Sequence, residues 1–315
     1  MLAIVNKTYF FTLLLLIPAL HGCAETEATD YPLTAAAEGI YFHQGAHEEA
    51  TPDNHGAIAN IGFIVGESCV AVVDTGGSYL EGQQLRNAIR NITETPICYV
   101  INTHVHPDHV FGNAAFLEDN PVFIAHQRAP AALAGRQPFY EESFQELLGD
   151  AWQGTEFIPA SKLVNIDQPL ELDLGGRIIK LESYPTAHTD HDLTVLDKKT
   201  RTLWTGDLLF VDRTPALDGS INGWLDAMQH LLKIDVEVMI PGHGPISYQG
   251  DKTALESQIR YFEAIREGVR SIINDLGTIE EAIREVAVDE ADNWLMFEEY
   301  HRRNVTAAFV ELEWE

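Results

Sequence analysis

Three histidines and one aspartate fall within six residues in Thr103-His104-Val105-His106-Pro107-Asp108-His109. Directly upstream, the apolar stretch Ile97-Cys98-Tyr99-Val100-Ile101-Asn102 reads as a strand. In extended backbone alternate side chains point the same way, so His104 and His106 present two imidazoles to one metal. Pro107 suits the first turn of a helix, which turns Asp108 and His109 to an adjacent position. Apolar strand and helix flank the motif, which separates it from a His-rich surface loop. Further candidates each lie just beyond an expected strand: His188 in Tyr184-Pro185-Thr186-Ala187-His188-Thr189-Asp190-His191, Asp207 in Trp204-Thr205-Gly206-Asp207, and His243 in Ile240-Pro241-Gly242-His243-Gly244-Pro245. Singly each is weak, because a His in a Gly/Pro turn or an Asp after Gly has ordinary structural uses. Together they complete a donor set for two metal ions.

These residues need a scaffold that delivers several strand ends to one rim. Short β-branched runs at 60–66, 69–74, 97–102 and 121–125 read as strands, with helices over 79–92 and after Pro107. A second half repeats the style, with strands at 178–184, 193–197, 202–205 and 236–240 and a helix over 221–232. Strands alternating with helices predict an α/β layered fold. Beyond residue 250 the pattern turns helical: Leu255, Ile259, Phe262, Ile265, Val269 and Ile272 form a helix-period stripe over 251–276 that stops at Gly277. Thr278 and Glu281 have the spacing of a capping box. The tail from Tyr300 to Glu315 is expected to pack on the core.

The 315 residues carry 48 Asp+Glu against 20 Lys+Arg, a net charge of −28. That excess argues against nucleic acid or an anionic membrane surface as the main partner. Residues 1–22 read as a secretory signal peptide, with an apolar run ending in Leu20-His21-Gly22-Cys23. The tetrad resembles a bacterial lipobox, making Cys23 the expected first mature residue and a lipid anchor, the only membrane attachment expected. Residues 24–37 read as a tether, 38–250 as the main domain and 251–315 as its helical extension. The remaining Cys69 and Cys98 are read either as a disulfide or as two buried thiols.

The chain resembles the metallo-β-lactamase superfamily through His104-x-His106-x-Asp108-His109, the strand end Val73-Asp74-Thr75-Gly76-Gly77, His188, Asp207 and His243. A finer resemblance, to the exported quinoprotein relay system zinc metallohydrolase 2 group, rests on Phe42-His43-Gln44-Gly45-Ala46-His47-Glu48-Glu49, on residues 102–112 and on Arg303-Asn304-Val305-Thr306-Ala307-Ala308. The superfamily resemblance implies an αββα sandwich with C-terminal helices packed on it. It also implies two Zn²⁺ per chain, one held by His104, His106 and His188, the other by Asp108, His109 and His243, with Asp207 bridging. Asp74 resembles the family's support for the ligand loops, or is a plain turn residue. His191 is expected as an outer donor or an alternative ligand.

The implied activity is that of a periplasmic hydrolase that uses a metal-bridging hydroxide on an ester, thioester, lactone or related bond of a small molecule. Asp108 is the expected catalytic residue, orienting the hydroxide or relaying a proton. No Gly-x-Ser-x-Gly elbow competes with that chemistry. A bridging carboxylate at Asp207 resembles thioesterase, lactonase and phosphodiesterase members more than β-lactamases. The finer resemblance implies work beside a periplasmic quinoprotein alcohol dehydrogenase system. Alternatives are a mononuclear iron enzyme resembling persulfide dioxygenases, a β-lactamase, and a non-catalytic periplasmic accessory factor. Arg260, Arg266 and Arg270 share a helix with Glu256, Glu263 and Glu267 and read as a solvated, salt-bridged face. His43, His47 and His55 are expected to face solvent. His126, His230 and His301 read as structural, and Phe139, Trp152, Phe157, Phe210 and Trp224 as core or lid aromatics.

Overall fold

A computed structural model describes residues 31–315. The expected signal peptide, Cys23 and residues 24–30 of the tether lie outside the described residues. What is described of the tether belongs to the fold. Thr34–Ala37 forms the edge strand β1, which pairs antiparallel with β2 (Ile40–His43), while Tyr31 and Leu33 pack on the first sheet. Its Ala-rich sequence hides a strand whose ladder hydrogen bonds, more than its side chains, hold it in place.

The first sheet continues through β3 (Ile61–Val65), β4 (Val70–Val73), β5 (Ile97–Ile101), β6 (Val122–His126) and β7 (Lys162–Val164), its seven strands neighbouring one another in chain order. The second comprises β8 (Leu170–Asp173), β9 (Ile178–Ser183), β10 (Leu193–Asp197), β11 (Thr202–Phe210), β12 (Val238–His243) and β13 (Ser247–Tyr248), also in order. Ile64, Val73, Ile101 and Ile124 of one sheet meet Leu181, Val195, Trp204 and Ile240 of the other to form the central core.

Helices cover both outer faces. On the first sheet, α1 (Tyr79–Ile92) turns Leu85 and Ile89 onto Phe63, Val72 and Val100. Its start is set by Ser78, whose hydroxyl accepts from the Glu81 N–H. After α2 (Pro107–Val110) and a 3₁₀ segment at Asn113–Asp119 comes α3 (Ala129–Leu148). On the second sheet, α4 (Ile221–Leu231), α5 (Thr253–Asn274), α6 (Ile279–Glu285) and α7 (Phe297–Leu312) enclose Trp224, Phe262, Val269 and Val305. The result is the expected αββα sandwich, with the C-terminal helices on its second sheet. No helix among the described residues is long and apolar enough to cross a membrane.

The expected helix over 79–92 and strand over 193–197 match the structure, and the Thr278 capping box forms. The sequence reading misses α3 altogether. That helix fully buries Ala129, Leu133, Tyr140 and Leu148 while exposing Phe139 and Leu147, so no clean apolar stripe appears. Strand β11 runs five residues past its expected end at Thr205. All nine of its residues are buried, so no alternation marks where it stops. Asp207 therefore lies within a strand and His243 closes one, where positions just beyond the strand ends were expected.

Cys69 and Cys98 form a disulfide, which settles the alternative left open by their spacing. It joins the start of β4 to its parallel neighbour β5 across 29 residues. Closing a loop of that length stabilises the fold by about 2–4 kcal/mol. Cys98→Ser should lower the free energy of urea unfolding by about that amount, and reductant should do the same to the wild type alone.

A second stability element is Glu81, fully buried under the site. Its Oε2 accepts from the Gly77 N–H at 2.7 Å and its Oε1 from the Tyr31 hydroxyl at 2.9 Å. Burial pushes the carboxyl up to about 8. A carboxyl raised in the folded state stabilises most below its unfolded pKa and loses that contribution as pH rises toward the folded one. Between about pH 6 and pH 8 the loss is roughly 2 kcal/mol. Glu81→Gln, which keeps an acceptor for Gly77 and stays neutral, should flatten that decline in urea titrations at the two pH values.

Candidate metal centre

The sandwich gathers all seven expected donors at one edge. Parallel strands β4 and β5 end at Asp74 and at the loop carrying His104 and His106, α2 carries Asp108 and His109, and the β9–β10 turn carries His188. From the second sheet come Asp207 on β11 and His243 at the end of parallel β12. Gly206, with φ of 51°, breaks the β11–β12 register beside Asp207. Gly242 lies so close that a Cβ there would collide with the Asp207 carboxylate. Here glycine is required by close approach.

Two groups of donors result: His104, His106, His188 and Asp207, and Asp108, His109 and His243, each spanning no more than 4.8 Å. Within the first, His106 Nδ1 and His188 Nε2 are 3.0 Å apart, and Asp207 Oδ2 lies 3.6 Å from His104 Nε2 and 3.5 Å from His188 Nε2. Within the second, Asp108 Oδ2 lies 3.6 Å from His109 Nε2 and 3.3 Å from His243 Nε2. Asp207 reaches this group too, with Oδ1 3.1 Å from His109 Nε2 and Oδ2 3.4 Å from His243 Nε2. Ligands about 2.0–2.1 Å from a tetrahedral zinc stand roughly 3.3 Å from one another, so these spacings fit.

Hydrogen bonding gives a second test of fit. His104 Nε2, His109 Nε2 and Asp207 Oδ1 are buried without a hydrogen-bond partner among the described residues. Such groups cost about 1–3 kcal/mol each unless something coordinates them, and a divalent cation in each donor group would satisfy them. The outer nitrogen of every histidine is anchored. His109 Nδ1 donates to Asp74 Oδ2 at 2.9 Å, His188 Nδ1 to the Ala216 carbonyl at 2.7 Å and His243 Nδ1 to the Ile58 carbonyl at 2.8 Å. Thr103 Oγ1 gives its proton to Asp74 Oδ2 at 2.7 Å and so accepts from His104 Nδ1 at 3.1 Å. His106 is reversed, its Nε2 facing Asp218 Oδ2 at 3.2 Å. Each ring is thereby fixed in the tautomer that turns a lone pair inward.

Burial pushes Asp207 and Asp108 up, but the surrounding histidines outweigh it and hold both carboxyls below their usual range. Burial likewise works against protonating His109 and His243, yet Asp207 with Asp108 and Asp74 drives His109 well up, and Asp207 with Asp108 raises His243. Metal binding would release those protons. Burial holds His188 down at about 4. The turn carrying His188 is shaped by Asp192, which accepts from the Thr189 N–H and hydroxyl and is pushed by burial up to about 8.

His191 joins neither donor group. Its Nδ1 pairs with Thr189 Oγ1 at 3.0 Å and its ring stacks near His104, 6.4 Å between centroids, so it packs beside the centre without entering it. Asp74 does more than turn the chain: it accepts from the Thr103 N–H, the Thr103 hydroxyl and His109. His43, His47 and His55 also stand outside both groups. His126 and His301 are buried and bonded to backbone, and His230 pairs with Glu182. Phe210 stacks on His243 and Trp224 meets His188 edge-on, whereas Trp152 and Phe157 pack around Phe111. Arg260, Arg266 and Arg270 are salt-bridged, though Arg260 and Arg270 reach Glu290 and Glu315, distant in sequence.

The sequence reading misses Asp218, which sits in a plain turn with no motif around it. Besides facing His106 it accepts from Arg136 at 3.1 Å. Asp218→Ala frees His106 to rotate and should weaken metal affinity about 10–100-fold, measured by competition with a chromophoric chelator. The centre opens into a cleft of about 380 Å³ lined by Asp108, Asp207, His243, Phe139 and Phe210.

A model of the metallo-β-lactamase superfamily matches residues 56–243. Similar solved structures include a metallo-β-lactamase from Pontibacter korlensis, at 16% identity over 74% of this chain and 98% of that one, with a TM-score of 0.59. The DIM-1 metallo-β-lactamase is 19% identical over 75% of this chain and 98% of its own, TM-score 0.57. A metallo-β-lactamase from Hirschia baltica is 18% identical over 73% and 96%, TM-score 0.57. At such identities the likeness is one of fold. With the family match covering residues 56–243 and its His and Asp donors converging on one edge of the sandwich, the chain belongs to the metallo-β-lactamase superfamily, whose members are mostly metal-dependent hydrolases.

Proposed function

We propose that this chain is an exported, dinuclear zinc-dependent hydrolase that opens an ester, thioester, lactone or related bond of a small molecule. One observation carries the reading: two groups of donors spaced like the ligands of tetrahedral zinc, with Asp207 in reach of both. Zinc held by these donors would supply a water of lowered pKa and a Lewis acid for the carbonyl oxygen. The chain's own residues orient and move protons. Asp74, Asp218 and the Ala216 and Ile58 carbonyls hold the imidazoles in register. Asp108, partly exposed to the cleft, accepts a proton at its carboxylate and returns it to the leaving group. Phe210 and Leu217 wall off one side from water.

Export is supported by the Cys69–Cys98 disulfide, a bond of oxidising compartments. A periplasmic location, lipidation at Cys23 and association with a quinoprotein alcohol dehydrogenase system belong to the same reading. Metal analysis of purified protein, followed by a hydrolysis screen over lactones, thioesters, phosphodiesters and β-lactams, tests it. Two zinc per chain and turnover of one class are expected. One iron per chain with oxygen consumption would replace the proposal with an oxygenase, and a fully zinc-loaded protein inert on every class would leave an accessory role.

A further inference from the structure

Beside His243 lies a cationic corner that the proposed bond cleavage leaves unused. Arg213 is 2% exposed, yet among the described residues its Nε has no hydrogen-bond partner and its Nη1 reaches the Glu48 carbonyl only at 3.4 Å. Nη1 also lies 3.3 Å from His243 Nδ1, but that nitrogen already donates to Ile58 and offers no lone pair. Nη2 donates to the Tyr300 hydroxyl at 2.7 Å. The Arg213 guanidinium stands 5.1 Å from the Tyr300 ring centroid, and that of Arg303, on α7, stands 6.0 Å from the same ring. All three residues line the cleft that holds Asp108 and Asp207.

Neither arginine has a carboxylate within salt-bridge distance among the described residues, in a chain where acids outnumber bases 48 to 20. Across the mouth Arg136 is neutralised by Asp218. A buried guanidinium is costly unless paired, and its planar fork suits a carboxylate. Tyr300 already presents its proton to one, donating to Glu49 Oε1 at 2.7 Å. On the facing wall, α3 brings Phe139, Phe144 and Leu147 to the same cleft, with Phe139 64% and Leu147 42% exposed. Large apolar side chains so exposed beside a site mark a binding surface.

We propose that the cleft selects a small molecule with an apolar acyl or aryl portion seated on α3 and a separate carboxylate held by Arg213, Arg303 and Tyr300. As a statement about substrate this rests on the hydrolase reading; as a statement about binding it does not. Glu49, at the edge of the corner, competes with the incoming carboxylate.

The test is calorimetric binding of phenylbutyrate and its uncharged counterpart phenylbutanol to zinc-loaded protein. The acid should bind at least about tenfold more tightly. Arg303→Ala, at an exposed position that leaves the fold intact, and Arg213→Gln should each remove most of that preference without moving phenylbutanol. Arg303→Lys should restore part of it, Glu49→Gln should enlarge it, and Phe139→Ala should weaken both ligands alike. A preference for the acid that persists in both arginine variants comes from direct zinc ligation and overturns the proposal. Turnover of an aryl monoester bearing a free carboxylate, compared with its methyl diester, separates the two readings. If neither ester, nor any lactone, thioester, phosphodiester or β-lactam, is cleaved while the binding preference follows the arginines, the hydrolase reading falls and the corner stands. If both are cleaved equally and binding ignores the arginines, the corner falls and the hydrolase stands.

Discussion

Asp207→Ala should lower hydrolysis by at least about 10³-fold and leave the protein folded but short of metal. In the proposed dinuclear centre this carboxylate is the one group in reach of both donor sets, with Oδ2 facing His104, His188 and His243 and Oδ1 facing His109. Its loss removes the charge that holds two cations side by side, and metal-assisted charge stabilisation is worth several kcal/mol in the transition state. Metal stoichiometry by elemental analysis and kcat on whichever substrate the screen identifies check both halves. A variant that keeps two equivalents and near-normal kcat would rule out a bridging role. Because Asp207 is buried among histidines, the substitution should also lower the His109 and His243 pKa values, which Asp207 helps raise.

Asp74→Asn should weaken metal affinity about 10–100-fold with little change in fold stability. Asp74 has a φ of 55°, a conformation that Asn tolerates and Ala does not, so the amide isolates the hydrogen-bond effect from backbone strain. The native carboxylate accepts three hydrogen bonds, from the Thr103 N–H, the Thr103 hydroxyl and His109 Nδ1. An amide has only one acceptor oxygen. If that oxygen serves the Thr103 N–H, its NH₂ faces His109 Nδ1 and drives the proton to Nε2, the nitrogen that must stay free for metal. Nitrogen-15 chemical shifts of the metal-free protein, recorded above the raised pKa of His109 where its ring is neutral, would report the tautomer, and chelator competition the affinity. Unchanged affinity with an unchanged tautomer would reduce Asp74 to a turn residue. Acting through His109, Asp74 is a positioning residue, and the tautomer readout separates that role from mere folding.

How much of the centre was legible depended on local spacing. His104, His106, Asp108 and His109 lie in one strand–loop–helix junction, where close spacing and a helix-starting proline already bring them together, although β5 ends at Ile101 and His104 sits in a bend instead of the extended strand that alternation assumes. His188, Asp207 and His243 could be nominated only as strand-end residues, and of these Asp207 lies inside its strand while His243 is the last residue of its own. Strand β11, buried on both faces, carries no periodicity to mark its end. The helix α3 escaped notice for the opposite reason, since it leaves apolar side chains facing a cleft and so lacks a clean stripe.

The sequence by itself determined the donor types, the α/β layering, the capping of α6 and the acidic character of the surface, because each depends on composition or on residues a few positions apart. Tertiary structure alone decided which nitrogen each histidine turns inward, because the partners that settle it, Asp74, Asp218, Ala216 and Ile58, come from distant segments. It also decided that Cys69 meets Cys98 and that Arg213, Tyr300 and Arg303 share one corner. Contacts across dozens to more than a hundred residues follow from how the two sheets close on each other, and no local pattern encodes that closure.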